Sequence, residues 1–381
     1  MVHAVQLPPP VAEKPRTRLF FLDRIKVALT ALVVVHHAAV TYGHIPAWYY
    51  YEKPVHVEAG LLDLLALLNQ SFFMGMFFLI SAFFVPASYD RKGAKAFVRD
   101  RLLRLGVPLV VFYFVINPIT GMAGALAQNP HVFGDAPWWL IYRDTIGAGP
   151  LWFAEALIAF VLGYVMWRKV AKKSAAPVAA VPRPFSYRGI GVFVVAVSVI
   201  TFAWRLFVPQ GMYVPIIGFP SAAFLPQYVG LFVLGLIAYQ RGWLTTARRG
   251  LGWVGLAAVL VGGIVDVALT VTGGSVGLTA TALVAAFAET VYCIGMCLAL
   301  LSLFRHFSRR EGAFGRYLSR HAFTVYIIHS PILVGVSIVL HLVVPTAPEL
   351  VKFALAAGIA VPLSFALAYP VRLVPGARRI L

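Results

Sequence analysis

Residues 20–44 read FFLDRIKVALTALVVVHHAAVTYGH, a run apolar enough to cross a bilayer that carries two adjacent histidines. On a helix at 100° per residue, Lys26 and His37 lie close to three full turns apart and share one face. Asp23, Thr30, Thr41 and His44 fall on or near that face, whereas His36 turns about 100° away, among Leu29, Val33 and Val40. The polar stripe starts at Asp23 and Lys26 and reaches His37 about 16 Å further along, at 1.5 Å per residue. An apolar helix with such a stripe cannot leave it against lipid. Ionisable groups inside a membrane face a bundle interior or a wet cavity, and they mark function by default. The stretch therefore predicts the wall of a site inside a helical bundle.

The rest of the chain agrees. Of its 381 residues 60% are hydrophobic and 12% charged, against about 25% charged in soluble domains. Apolar runs long enough to span fall at about 22–43, 61–86, 103–125, 150–167, 189–208, 222–240, 251–272, 277–304, 321–343 and 350–371. The expected fold is all-α: a polytopic integral membrane protein of about ten transmembrane helices. The expected organisation is a polar tail (1–18), one transmembrane domain (19–372) and a basic tail (373–381). The first 18 residues lack an apolar region and read as a tail, not a cleaved signal peptide.

The formal charge of +18 is explained by topology, without nucleic acid as a partner. With the N-terminus inside, 28 of the 32 Lys and Arg residues sort to one side of the ten runs. Cytoplasmic loops carry that excess, so both termini are expected in the cytoplasm. Lys53, Arg143 and Lys352 fall outside, and Arg205 near the outer end of the fifth run. Residues 44–60 (HIPAWYYYEKPVHVEAG) and 129–149 (NPHVFGDAPWWLIYRDTIGAG) form outer loops rich in Trp, Tyr, Pro and Gly. They suit an aromatic belt at the interface or flat surfaces for sugar rings. The inner stretch 168–188 reads as a flexible linker, and no internal repeat stands out. Cys293 and Cys297 offer neither a disulfide framework nor a zinc spacing; no metal is expected.

Other ionisable groups within the runs are Glu155, Asp266, Glu289 and His329, the last with Tyr326 one turn before it. Each costs at least about 2.5–3.5 kcal/mol at the bilayer centre, which predicts a shared polar cavity. On the cytoplasmic side Arg101 and Arg104 stand one turn apart, a spacing suited to phosphates.

Four stretches, in order, carry a resemblance: FLDRIKVALTALVVVHH (21–37), FFMGMFFLISAFFVPASYDRKGAKAFVRDRLLRLGVPL (72–109), GPLWFAEALIAF (149–160) and RHAFTVYIIHSPILV (320–334). Together they resemble the membrane-bound acyltransferase family 3, which includes sugar O-acetyltransferases and periplasmic-glucan succinyltransferases. The chain is similar in its basic residue eleven places before a histidine, its R-x-x-R pair, its Leu-Trp-Phe segment and its late Tyr-x-x-His-x-Pro. It departs where the family usually has Arg before the histidine; here that position is Lys26, with Arg24 nearby, so the charge is kept and the planar fork lost.

The resemblance implies acyl transfer from cytoplasmic acyl-coenzyme A, a cosubstrate and not a tightly bound cofactor, to a hydroxyl of a glycan or similar envelope acceptor. It implies a multi-pass protein of the inner (plasma) membrane. His37 is the expected general base, since a hydroxyl needs its proton removed and imidazole titrates near neutrality. Asp23 or a carboxylate from a neighbouring helix would orient its ring. His36 is the second candidate, and a covalent acyl-histidine stays open. Glu155 is expected to hold the acceptor, with Trp152, Tyr326 and His329 lining the cavity; Arg101, Arg104, Lys26 and Arg24 would hold coenzyme A. Two other classes compete. A proton-coupled transporter would show repeats or paired broken helices. A b-type cytochrome would place haem between histidines of facing helices and absorb visible light.

Overall fold

The computed structural model describes residues 19–171, 186–213, 219–245, 250–307 and 312–381, and it is helical, with no strand among them. Among the described residues ten helices are long and apolar enough to span a membrane: α1 (Phe20–Tyr42), α2 (Val57–Lys92), α3 (Ala94–Gln128), α4 (Trp138–Val170), α5 (Tyr187–Arg205), α6 (Ala222–Arg241), α7 (Leu251–Val271), α8 (Ala280–Phe307), α9 (Ala313–Val343) and α10 (Glu349–Leu373). The polar tail 1–18 and most of the 168–188 linker lie outside the described residues.

Bounds differ from expectation where polar residues extend a helix beyond its apolar part. α9 starts at Ala313 and carries Arg316 and Arg320 in its first turns. Trp138–Thr145, expected within a loop, is helical and precedes the main helix Trp152–Val170. Three spans are irregular, for readable reasons. α2 breaks at Ser71 and Phe72, where the Ser71 hydroxyl donates to Leu67 O at 3.0 Å and Gln227 Nε2 donates to Ser71 O at 2.7 Å. α3 contains two wide π-turns, Leu102–Gly106 and Phe112–Ile116. Pro108 and Pro118 lie just beyond them and have no N–H for the carbonyls four residues back. The Tyr142 hydroxyl takes the carbonyl that Pro118 leaves free, donating to Phe114 O at 2.8 Å. α4 bends at Gly149, whose φ of +47° suits glycine.

α7 and α8 pack through small residues. A Cβ on Gly262 would come within 2.7 Å of the Tyr292 nitrogen, so only glycine lets the backbones approach this closely.

The position of α1 matters most. Its first half (Phe21, Leu22, Ile25, Leu29 and Val33) belongs to the larger core, shared with α2–α8. Its second half (Val34, Ala38, Ala39 and Tyr42) belongs to a second core with α9 and α10. His36 and His37 sit just where the helix passes from one core to the other.

Candidate active site

The Nδ1 atom of His37 lies 3.1 Å from Nε2 of His329, joining α1 to α9. The ring proton positions follow from the next partner. His329 Nδ1 is 2.8 Å from the carbonyl oxygen of Tyr326. A carbonyl only accepts, so His329 carries its proton on Nδ1 and, when neutral, a lone pair on Nε2. His37 must then donate from Nδ1, which leaves its own Nε2 with a lone pair. A histidine held through one nitrogen with the other free is the arrangement of a general base. His329 is fully buried, and the two rings are stacked within 12° of parallel.

Among the described residues no carboxylate is hydrogen-bonded to the His37 ring. Asp23, expected in that role, pairs with Lys26 at 2.8 Å near the start of α1. The reason is spacing: three residues bring Asp23 and Lys26 together, while His37 lies more than two turns beyond either. The stripe is real but less polar than its residues suggest. Thr30 Oγ1 donates to Lys26 O at 2.8 Å and Thr41 Oγ1 to His37 O at 2.9 Å, so both hydroxyls serve their own helix.

His36 points elsewhere. Its ring packs 5.0 Å from Phe73 on α2, and its Nδ1 is buried without a partner among the described residues. Tyr326 donates its hydroxyl to Pro150 O, tying α9 to the bend in α4, and its ring stacks at 6.2 Å from that of His329. Trp152 is not a cavity residue. It is buried in the larger core against Phe219 and Tyr228, with ring centroids at 5.0 and 5.7 Å. Glu155, one turn further along α4, is half-buried and is not among the hydrogen-bond partners of His37.

The buried ionisable groups do not share one cavity. Arg205 binds both carboxylate oxygens of Glu289 at 2.8 Å, and Ser71 Oγ lies 3.4 Å from Asp266 Oδ2. This second cluster joins α2, α5, α7 and α8 and has no residue in common with the His37–His329 pair. Cys293 is part of the same neighbourhood, 3.1 Å from Gln227 Nε2, and both cysteines are free and buried.

At the basic end, Lys26 sits over the Phe84 ring at 5.2 Å and Arg24 is half-buried one turn into α1. Arg101 and Arg104 do not project as a simple pair, because the π-turn after Arg101 widens the helix between them. Arg101 lies over Phe97 at 5.2 Å, while Arg104 reaches Asp100 at 3.3 Å beside the Lys92–Asp100 pair at 2.8 Å.

Sequence reasoning missed the most intimate neighbour of His37. Trp48, in the loop after α1, lies face to face with it, with centroids 3.8 Å apart and planes 15° apart. The loop's aromatic richness was visible, but a loop has no periodicity to say which ring turns inward.

No curated protein and no solved structure matches the chain. Residues 19–369 match the family described as "Acyltransferase domain", which takes in α1 through nearly all of α10 and every residue of the histidine pair. This ten-span helical bundle, which pairs a histidine of α1 with one of α9, is thus a member of the membrane acyltransferase family 3.

Proposed function

We propose that the protein is an O-acyltransferase that moves a small acyl group, acetyl or succinyl, from cytoplasmic acyl-coenzyme A to a hydroxyl of a glycan or another envelope acceptor. It would act as a multi-pass protein of the plasma membrane. The observation that carries this reading is the hydrogen-bonded chain from Tyr326 O through His329 to His37.

The acceptor hydroxyl oxygen attacks the thioester carbonyl carbon while His37 Nε2 takes the hydroxyl proton. The C–O bond forms, the C–S bond breaks, and the departing thiolate recovers the proton from His37. During the step His37 is an imidazolium, and its Nδ1–H then makes a charge-assisted bond to His329 Nε2. His329 is thus a positioning residue that fixes the tautomer. At the basic end Arg101 and Arg104 suit the phosphates of coenzyme A, with Lys26 and Arg24 closer to α1. The gap of about 16 Å between Lys26 and His37 is one for the long pantetheine arm to cross. Glu155, just past the bend in α4 and more than three turns from the basic residues Arg168 and Lys169, is the candidate for acceptor contact.

The test separates the two adjacent histidines. General-base catalysis contributes typically ~10²–10⁴-fold in rate, whereas a lost hydrogen bond within a membrane averages about 0.6 kcal/mol. His37→Ala is expected to abolish acyl transfer, followed by mass spectrometry of envelope glycans at equal membrane abundance. His36→Ala should retain a substantial part. An inactive His36→Ala beside an active His37→Ala would make His36 the base and overturn the assignment.

A further inference from the structure

The loop between α1 and α2 is a strap fastened on both sides of the histidine pair. On the α10 side, Glu52 forms an ion pair with Lys352, whose side chain is 4% exposed and also donates to Pro345 O at 2.7 Å. Glu349, at the start of α10, accepts from the Val55 N–H at 2.7 Å and holds His56 Nδ1 at 2.8 Å. On the α3 side, the Tyr49 hydroxyl donates to Asn117, and Gln128 Nε2 donates to Tyr49 O at 3.3 Å. Gly124 makes that contact feasible, since a Cβ there would collide with Tyr49 O. The strap also returns to α1 itself, the Glu52 N–H donating to Thr41 O at 3.0 Å. That carbonyl belongs to the last turn of α1 and has no partner within the helix.

Between these fastenings Trp48 is pressed onto His37. Its indole N–H is buried with no hydrogen-bond partner among the described residues. Packing alone is a poor account of that, because a buried Trp N–H normally finds a partner. A ring kept over the base despite an unpaired donor suggests a task at the base.

We propose that Trp48, held by the Glu52–Lys352 pair, keeps water off His37 and so directs the acyl group to the acceptor and away from hydrolysis. The inference rests on the acyl-coenzyme A reading above. The chemical need is plain: a base able to deprotonate a sugar hydroxyl also deprotonates water, and excluding water prevents that side reaction. With the strap loosened, a water oxygen attacks the thioester carbonyl carbon and His37 takes its proton. The C–O bond forms, the C–S bond breaks, and the proton passes to the thiolate. The products are a carboxylic acid and free coenzyme A.

The experiment measures thiol release from acetyl- and succinyl-coenzyme A without acceptor, using the purified full-length protein in nanodiscs. Donor binding is read in parallel from the thermal shift given by coenzyme A. Trp48→Ala and Lys352→Met are expected to release thiol ~10-fold faster than the wild type. Trp48→Phe should stay near the wild-type rate, and adding His37→Ala to Trp48→Ala should remove the gain. If Trp48→Ala fails to fold, Lys352→Met and Glu52→Gln carry the comparison. Donor binding with no increase in thiol release in any folded strap variant overturns the water-exclusion role and leaves the acyl-coenzyme A reading standing. A wild type that neither binds coenzyme A nor consumes either donor overturns both.

Discussion

His37 and His329 come from the first and the ninth membrane span, and the protein holds their Nδ1 and Nε2 atoms 3.1 Å apart. The Tyr326 carbonyl beyond them sets the direction of the whole chain of protons. In the mechanism proposed above, His329 acts through His37 and does not itself touch substrate.

That role predicts a division between kcat and KM. His329→Ala frees the His37 ring to turn and to place its proton on either nitrogen, so kcat should fall by about 10²-fold, the lower end of what a general base contributes. The donor KM should not move, because the basic end is untouched. His329→Gln carries an amide oxygen that accepts from Nδ1–H, and it should recover part of the loss. Steady-state kinetics of the three proteins at equal abundance decide the matter. A variant whose only defect is a raised KM would place His329 in binding instead.

The donor end makes a different prediction. Arg101 lies over Phe97, and Arg104 shares Asp100 with Lys92, so both guanidinium groups are positioned before any ligand arrives. Hydrogen bonds to charged groups contribute about 1.5–3 kcal/mol each. Arg101→Ala with Arg104→Ala should then raise the donor KM by ~10-fold or more, with little change in kcat at saturation. An unchanged donor KM would leave the pair a purely topological role.

The helical count, the span order and the inward turn of His37 were all legible in the sequence, because hydropathy and the 100° repeat act along one helix. Contacts between helices were not. His329 was visible as a buried histidine, but its meeting with His37 across 292 positions depends on how α1 crosses α9. The R-x-x-R pair was read on an ordinary α-helix, and the π-turn at Leu102–Gly106 changed its projection. Pro108 was the available signal for that. Trp152 looked like a cavity residue by resemblance and packs in the core, where a large aromatic fills volume. Lys352 was counted as one of few bases outside; its isolation there was the clue that a carboxylate such as Glu52 holds it.

The second buried cluster yields a prediction about stability alone. Arg205 is 10% exposed and Glu289 2% exposed, and the two contacts from the one Arg205 nitrogen, Nη2, compensate one negative charge. Asp266 is 2% exposed, and its Oδ2 lies 3.4 Å from Ser71 Oγ, whose single proton already goes to Leu67 O. Two carboxylates thus share a pocket with a single guanidinium. Removing one partner of a buried pair strands the other and costs about 3–5 kcal/mol, so Glu289→Ala should lower the unfolding midpoint markedly. Asp266→Asn removes the charge that lacks a cation of its own and brings an amide N–H that can donate to Ser71 Oγ, so it should leave the midpoint unchanged or raise it. Thermal unfolding of both variants in the same detergent tests the asymmetry. Equal losses in the two would mean that Arg205 serves both carboxylates alike and that Asp266 is as well compensated as Glu289.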